Sequence, residues 1–162
     1  MKKYIIIAVI LLVLIIIFRK KIMKLTGLFD HETKIRPLDE GGSGAFGAKR
    51  ANHIHEGIDL LANPKDSVKA PFDLEFVRQT YPYKDDKRYL GGVYKFSSPE
   101  LSGEMKIFYM QPTNKSKIIK KGDQIGFVQD IVAKYKTKGM KNHVHLELRD
   151  EKGNLINPTQ YV

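Results

Sequence analysis

The sequence predicts a mainly β protein: a single small antiparallel β-sheet domain, preceded by one N-terminal transmembrane helix. Three observations predict it. From Ile54 onwards, short β-rich runs alternate with turn signals. No helical period is sustained after the N-terminal segment. That segment, residues 4–18, is wholly apolar and fenced by lysine and arginine on both sides.

The apolar run spans 15 residues, fewer than the roughly 20 that cross a bilayer as a straight helix. A cleaved signal peptide, a buried core helix and an uncleaved anchor compete. No small-x-small cleavage site follows the run. A helix apolar on every side and bounded by lysines makes a poor core element. The anchor therefore fits best, with Lys3 and Lys20 snorkelling and Ile22, Met23 and Leu25 extending the apolar stretch. Both flanks are basic, so charge does not orient the span.

The expected organisation is a membrane anchor over 1–26, a linker over 27–43 and the β domain over 44–162. Gly41-Gly42-Ser43-Gly44 supplies the loop composition of the linker. The strands are read from the runs at 73–77, 92–96, 105–110, 124–128 and 144–148. Turns fall at Asn63-Pro64-Lys65-Asp66, Lys121-Gly122-Asp123 and Glu151-Lys152-Gly153-Asn154.

The net charge of +10 belongs largely to the anchor flanks. Residues 1–24 carry six Lys/Arg and no acid, which leaves 22 basic against 18 acidic residues in the remainder. A balance of that kind argues against a nucleic-acid partner. It points instead to basic flanks meeting anionic headgroups. The chain has no Cys, so any metal site must be built from His and carboxylate.

Four of the five histidines fall in two clusters, His53-Ile54-His55-Glu56-Gly57-Ile58-Asp59 and His143-Val144-His145-Leu146-Glu147. His143 and His145 share a face only on a strand, and Val144, Leu146 and Leu148 fill its other face. Glu147 continues the polar face. His55 and Asp59 share a face on either a strand or a helix, and Gly57 and Ile58 favour the extended form. Two His and one Asp from two strands leave an open tetrahedral position, as at a catalytic zinc. Such an ion activates water and polarises a carbonyl, so the reaction class is amide hydrolysis. Spacing alone does not separate His143 from His145 as the third ligand.

The segment His55-Glu56-Gly57-Ile58-Asp59 resembles the H-x-G-x-D signature of the lysostaphin and LytM-type zinc peptidases, and Asn142-His143-Val144-His145 resembles their closing H-x-H strand. Phe46-Gly47-x-x-Arg50, Val68-x-Ala70-Pro71, Lys121-Gly122-Asp123-Gln124-Ile125-Gly126 and Asn157-Pro158-Thr159-Gln160-Tyr161 match further segments in order. The resemblance implies zinc on His55, Asp59 and His145, with His143 as a neighbouring catalytic residue. It implies peptidoglycan peptides as substrates and a domain outside the cytoplasm. The family's other catalytic His falls at Gln111, in Tyr109-Met110-Gln111. Gln donates a hydrogen bond but does not titrate, so acid–base work would pass to Tyr109, His53 or His143. His53 and Arg50 are expected to line the substrate groove. Two other readings follow from Gln111: a zinc-retaining module that binds wall peptides without cutting, and a structural component of an envelope or virion with protein partners there.

Overall fold

The computed structural model describes residues 24–50, 53–98, 101–136 and 139–162. Nine strands are formed among them: β1 (Ile58–Leu61), β2 (Ser67–Lys69), β3 (Leu74–Thr80), β4 (Gly91–Ser97), β5 (Ser102–Phe108), β6 (Met110–Pro112), β7 (Gln124–Val128), β8 (His143–Asp150) and β9 (Leu155–Ile156). The larger sheet runs β1-β8-β5-β4-β3, with β9 paired to β8, and the smaller runs β2-β7-β6. Every pairing is antiparallel. The mainly β, antiparallel expectation is thus met. A one-turn helix, α1 (Val132–Tyr135), and a closing 3-10 helix (Pro158–Tyr161) are too short to leave a sequence period.

Alternation along the strands explains the layering. In β8, Val144, Leu146 and Leu148 are fully buried on one face. Met105 and Ile107 of β5, Tyr94 and Phe96 of β4, and Ile58 and Leu60 of β1 continue that apolar face. Val68, Ile125, Val128 and Met110 close the core from the smaller sheet. The opposite face of the larger sheet carries Asp59, Lys106, Phe108, His145 and Glu147. Register sets them side by side: Asp59 pairs with His145, His145 with Phe108, and Glu147 with Lys106.

Single-pass membrane localisation, expected from the sequence, is corrected. No helix among the described residues is long and apolar enough to cross a membrane. The 4–18 run lies outside the described residues. Leu25, expected to lengthen the span, belongs to the domain core instead: it is fully buried, and its N–H donates to the Tyr161 carbonyl at 2.6 Å. An apolar side chain next to the chain's closing helix loses its water contact there, without lipid.

Segment 27–43, expected as a linker, packs on the domain. Leu28 and Phe29 join the core. Residues 34–36 run beside β1: the Arg36 N–H donates to the Asp59 carbonyl at 2.7 Å and the Leu61 N–H to the Lys34 carbonyl at 2.9 Å. These bonds cover the β1 edge, which would otherwise expose unpaired backbone groups.

Candidate metal centre

His55, Asp59 and His145 converge on the polar face of the larger sheet. Asp59 projects from β1 and His145 from the paired position on β8, while His55 arrives from the turn before β1. The His55 Nε2 lies 3.1 Å from Asp59 Oδ1 and 2.8 Å from His145 Nδ1, and His145 Nδ1 lies 3.0 Å from the same Oδ1. Ligands about 2.0–2.2 Å from a tetrahedral zinc are spaced roughly 3.3 Å apart. The three atoms therefore stand within a few tenths of an ångström of a metal tripod.

Their outer partners fix which nitrogens face inward. His55 Nδ1 donates to the Ala45 carbonyl at 2.8 Å. His145 Nε2 donates to Glu147 Oε1 at 3.3 Å. In the neutral rings, the facing nitrogens then carry lone pairs toward each other and toward a carboxylate. A metal ion would satisfy that arrangement, and the donor set fits zinc. The protonation behaviour has the same cause. Burial would lower the His145 pKa, but the Asp59 and Glu147 carboxylates outweigh it and raise it. Burial would raise that of Asp59, but the surrounding His145, His55 and His143 rings hold it well below the usual carboxylate range.

Outer groups brace the tripod. Glu147 is buried, with Lys106 2.7 Å and Arg149 3.5 Å away. Burial alone would raise its pKa, but His145 and Lys106 hold it down to about 2. The second carboxylate oxygen of Asp59 accepts from Arg36 at 2.9 Å and from Arg50 at 3.4 Å. Arg36 also pairs with Asp39, and its side chain is only 1 % exposed. Gly57 permits the close packing of β1 against β8: a Cβ there would meet the Leu146 carbonyl oxygen at 2.2 Å and His145 Nε2 at 2.9 Å.

The centre opens into a groove of about 480 Å³. His143, Tyr109, Phe108, Tyr135 and His53 are among its lining residues. His143 stands beside the tripod with Nε2 3.9 Å from Asp59 Oδ2. Its Nδ1 donates to the Lys141 carbonyl at 2.8 Å, so Nε2 holds a lone pair. Burial lowers its pKa and favours the neutral ring. Geometry thereby separates what spacing could not: His145 joins the tripod and His143 stands next to it.

Two expected site residues, Gln111 and Arg50, fall differently. Gln111 is exposed on β6, in register with Phe127, and does not line the groove. Tyr109 takes the inner position instead, its ring edge-on to His143 at 5.5 Å. The reason is local. Tyr109 has φ 62°, in the left-handed region, which breaks strand alternation between β5 and β6. Phe108 and Tyr109 consequently both line the groove. Arg50 also reaches the groove, but its guanidinium is engaged with Asp59 rather than free for a substrate. His53 is exposed at the groove rim. Sequence reasoning missed Arg36, which has no motif around it, Tyr83, which sits in a loop, and Tyr135, whose one-turn helix leaves no period.

No family model matches the chain. Over 132 residues it is 32 % identical to leukocyte cell-derived chemotaxin-2 of Bos taurus, covering 80 % of both chains. It is 33 % identical over 132 residues to the Mus musculus protein of that name, again covering 80 % of each. The chain belongs to the leukocyte cell-derived chemotaxin-2 family. This corrects the placement among lysostaphin and LytM-type peptidases suggested by the motifs. Those motifs are residues that hold a cation and turn a sheet, needs that a chemotaxin-2 relative with this site shares. They carry no information about cleavage.

Proposed function

We propose that this chemotaxin-2 relative is a zinc-dependent peptide-binding protein. In this reading, His55, Asp59 and His145 would hold the ion, and the groove would seat an extended peptide with one of its oxygens beside them. The observation that carries the proposal is the three-atom tripod at the floor of an open groove, with inward lone pairs fixed by outer hydrogen bonds. Zinc, when bound, supplies a Lewis-acidic position for a carbonyl or carboxylate oxygen. Phe108 and Tyr135 give the groove aromatic walls for a peptide. The test is calorimetric titration of zinc-loaded and chelator-treated protein with oligoglycine and peptidoglycan-derived peptides. Binding is expected only with zinc, and is lost in His55→Ala and Asp59→Ala. Equal binding by loaded and stripped protein would overturn the reading.

A second reading, amide hydrolysis, is favoured by one observation: His143 presents a lone pair to the groove beside the tripod. There it could take a proton from an attacking water. Peptidoglycan stem and bridge peptides are the substrates to try first. Against it stands Gln111, exposed and off the groove, which leaves His143 as the one groove imidazole beside the tripod able to serve as base. Zinc-dependent release of fragments, lost in His143→Ala at unchanged zinc content, supports hydrolysis. Tight binding with no fragment released refutes it.

A further inference from the structure

Three tyrosine hydroxyls from three separate segments meet at the edge of the groove. The Tyr83 hydroxyl donates to the Tyr109 hydroxyl at 3.2 Å and lies 2.7 Å from the Tyr135 hydroxyl. Each phenol has one proton to give. Tyr83 spends its proton on Tyr109, so Tyr135 must donate to Tyr83. Direction is thus fixed along the chain Tyr135 to Tyr83 to Tyr109. The proton of Tyr109 is left over, and no hydrogen bond from it to another described residue is formed. Tyr109 lines the groove beside His143.

We propose that Tyr135 and Tyr83 are positioning residues that hold Tyr109 as a hydrogen-bond donor to a ligand oxygen bound at the metal centre. The proposal rests on the reading of the groove as a metal-dependent peptide site. Several features hold the relay in place. The Tyr83 and Tyr109 rings stack at 6.2 Å, and Tyr83 meets Tyr135 edge-on at 6.5 Å. Lys134 sits 4.0 Å above the Tyr83 ring and pairs with Asp86 at 2.8 Å, tying loop 81–90 to α1. Tyr109 has a left-handed backbone, and its ring lines the groove next to that of Phe108. Burial raises the Tyr109 pKa to about 12, so the hydroxyl keeps its proton. Hydrogen bonds in series strengthen one another, so a donor that itself accepts a bond is the better donor. The ligand class is an oxyanionic or strongly polarised peptide group: a C-terminal carboxylate, or a carbonyl drawn toward the ion.

Two measurements test this. The first needs no metal. Tyrosines labelled with ¹³C at Cζ are followed by NMR in stripped protein. Tyr135→Phe is expected to shift the Tyr109 signal when Tyr83 is present, and to leave it unmoved in a Tyr83→Phe background. A Tyr109 signal indifferent to both changes overturns the relay. The second is calorimetric titration of the zinc-loaded protein with a triglycine analogue whose central amide is a phosphinate. Tyr109→Phe is expected to weaken binding roughly 10- to 100-fold, the usual worth of a hydrogen bond to a charged oxygen. Tyr83→Phe, which keeps the ring and its stacking, is expected to weaken it several-fold, and to have no further effect once Tyr109 is Phe. Equal losses in both backgrounds would show a structural role and overturn the proposal. Wild-type protein that fails to bind the phosphinate while the NMR coupling holds overturns the peptide-site reading and the relay's purpose together. Binding that is normal in Tyr83→Phe overturns the relay alone.

Discussion

Arg36 is the residue whose loss tests the construction of the site most directly. Its guanidinium, 1 % exposed, bridges Asp39 and Asp59, whose side chains are 7 % and 4 % exposed. Arg36→Met keeps the stem's volume and removes the charge. Breaking a buried ion pair on one side costs about 3–5 kcal/mol, because the remaining charge stays buried. Some compensation remains. Asp39 keeps the Gly41 and Lys141 N–H groups at 2.8 and 3.0 Å, and Asp59 keeps Arg50 at 3.4 Å. The lower end, about 3 kcal/mol, is therefore expected for metal-free protein. That corresponds to a fall in Tm of roughly 6–12 °C for a chain of this size. The assay is urea unfolding of the full chain, once with chelator and once with saturating zinc. The loss should shrink with zinc, because the ion restores positive charge beside Asp59. A loss below about 1 kcal/mol without metal, where a surface ion pair would fall, refutes the claim that Arg36 braces Asp59.

Three other outcomes follow from the same geometry. Glu147→Gln keeps an acceptor for His145 but removes the charge; zinc affinity, measured by competition with a chromogenic chelator, should fall roughly 10- to 100-fold. Metal-free protein should lose stability in acid. Glu147 has a folded pKa of about 2, below its ordinary value, so its contribution is present above about pH 4.5 and is lost as pH falls toward 2. The loss should amount to about 3 kcal/mol by denaturant titration, and Glu147→Gln should flatten it. Gly57→Ala places a Cβ 2.2 Å from a backbone oxygen, so β1 must move from β8. It should destabilise by about 1–3 kcal/mol and lower zinc occupancy by metal analysis.

How much of this was legible in the chain depends on the range of the forces involved. Period-two patterning is local, so the runs around Leu74, Val93, Ile107, Ile125 and Val144 marked β3, β4, β5, β7 and β8 without the fold. The same rule put His143, His145 and Glu147 on one face. The His55–Asp59 spacing, with Gly57 between, supplied the rest of a cation site. Membership in the chemotaxin-2 family was not legible, because motif residues report the chemistry of a cation and the similarity that places the chain is spread over 132 residues, 80 % of it. Gln111 was expected at the groove because the resemblance places the family's other catalytic His there; the structure leaves it exposed on β6 and puts Tyr109, with its left-handed backbone, on the groove instead. Leu25 read as part of a span, since hydropathy does not distinguish lipid from a protein core. The sequence by itself marked five of the strands and, of the cation-facing side chains, His55, Asp59 and the His143/His145 pair, because these follow from spacing along the backbone; the choice of His145 over His143 came from the fold. Only the tertiary structure decided that Arg36 braces Asp59, that Tyr83 reaches Tyr109 and that Tyr135 reaches Tyr83. Those contacts join residues 23, 26 and 52 positions apart, and packing alone brings them within hydrogen-bond distance.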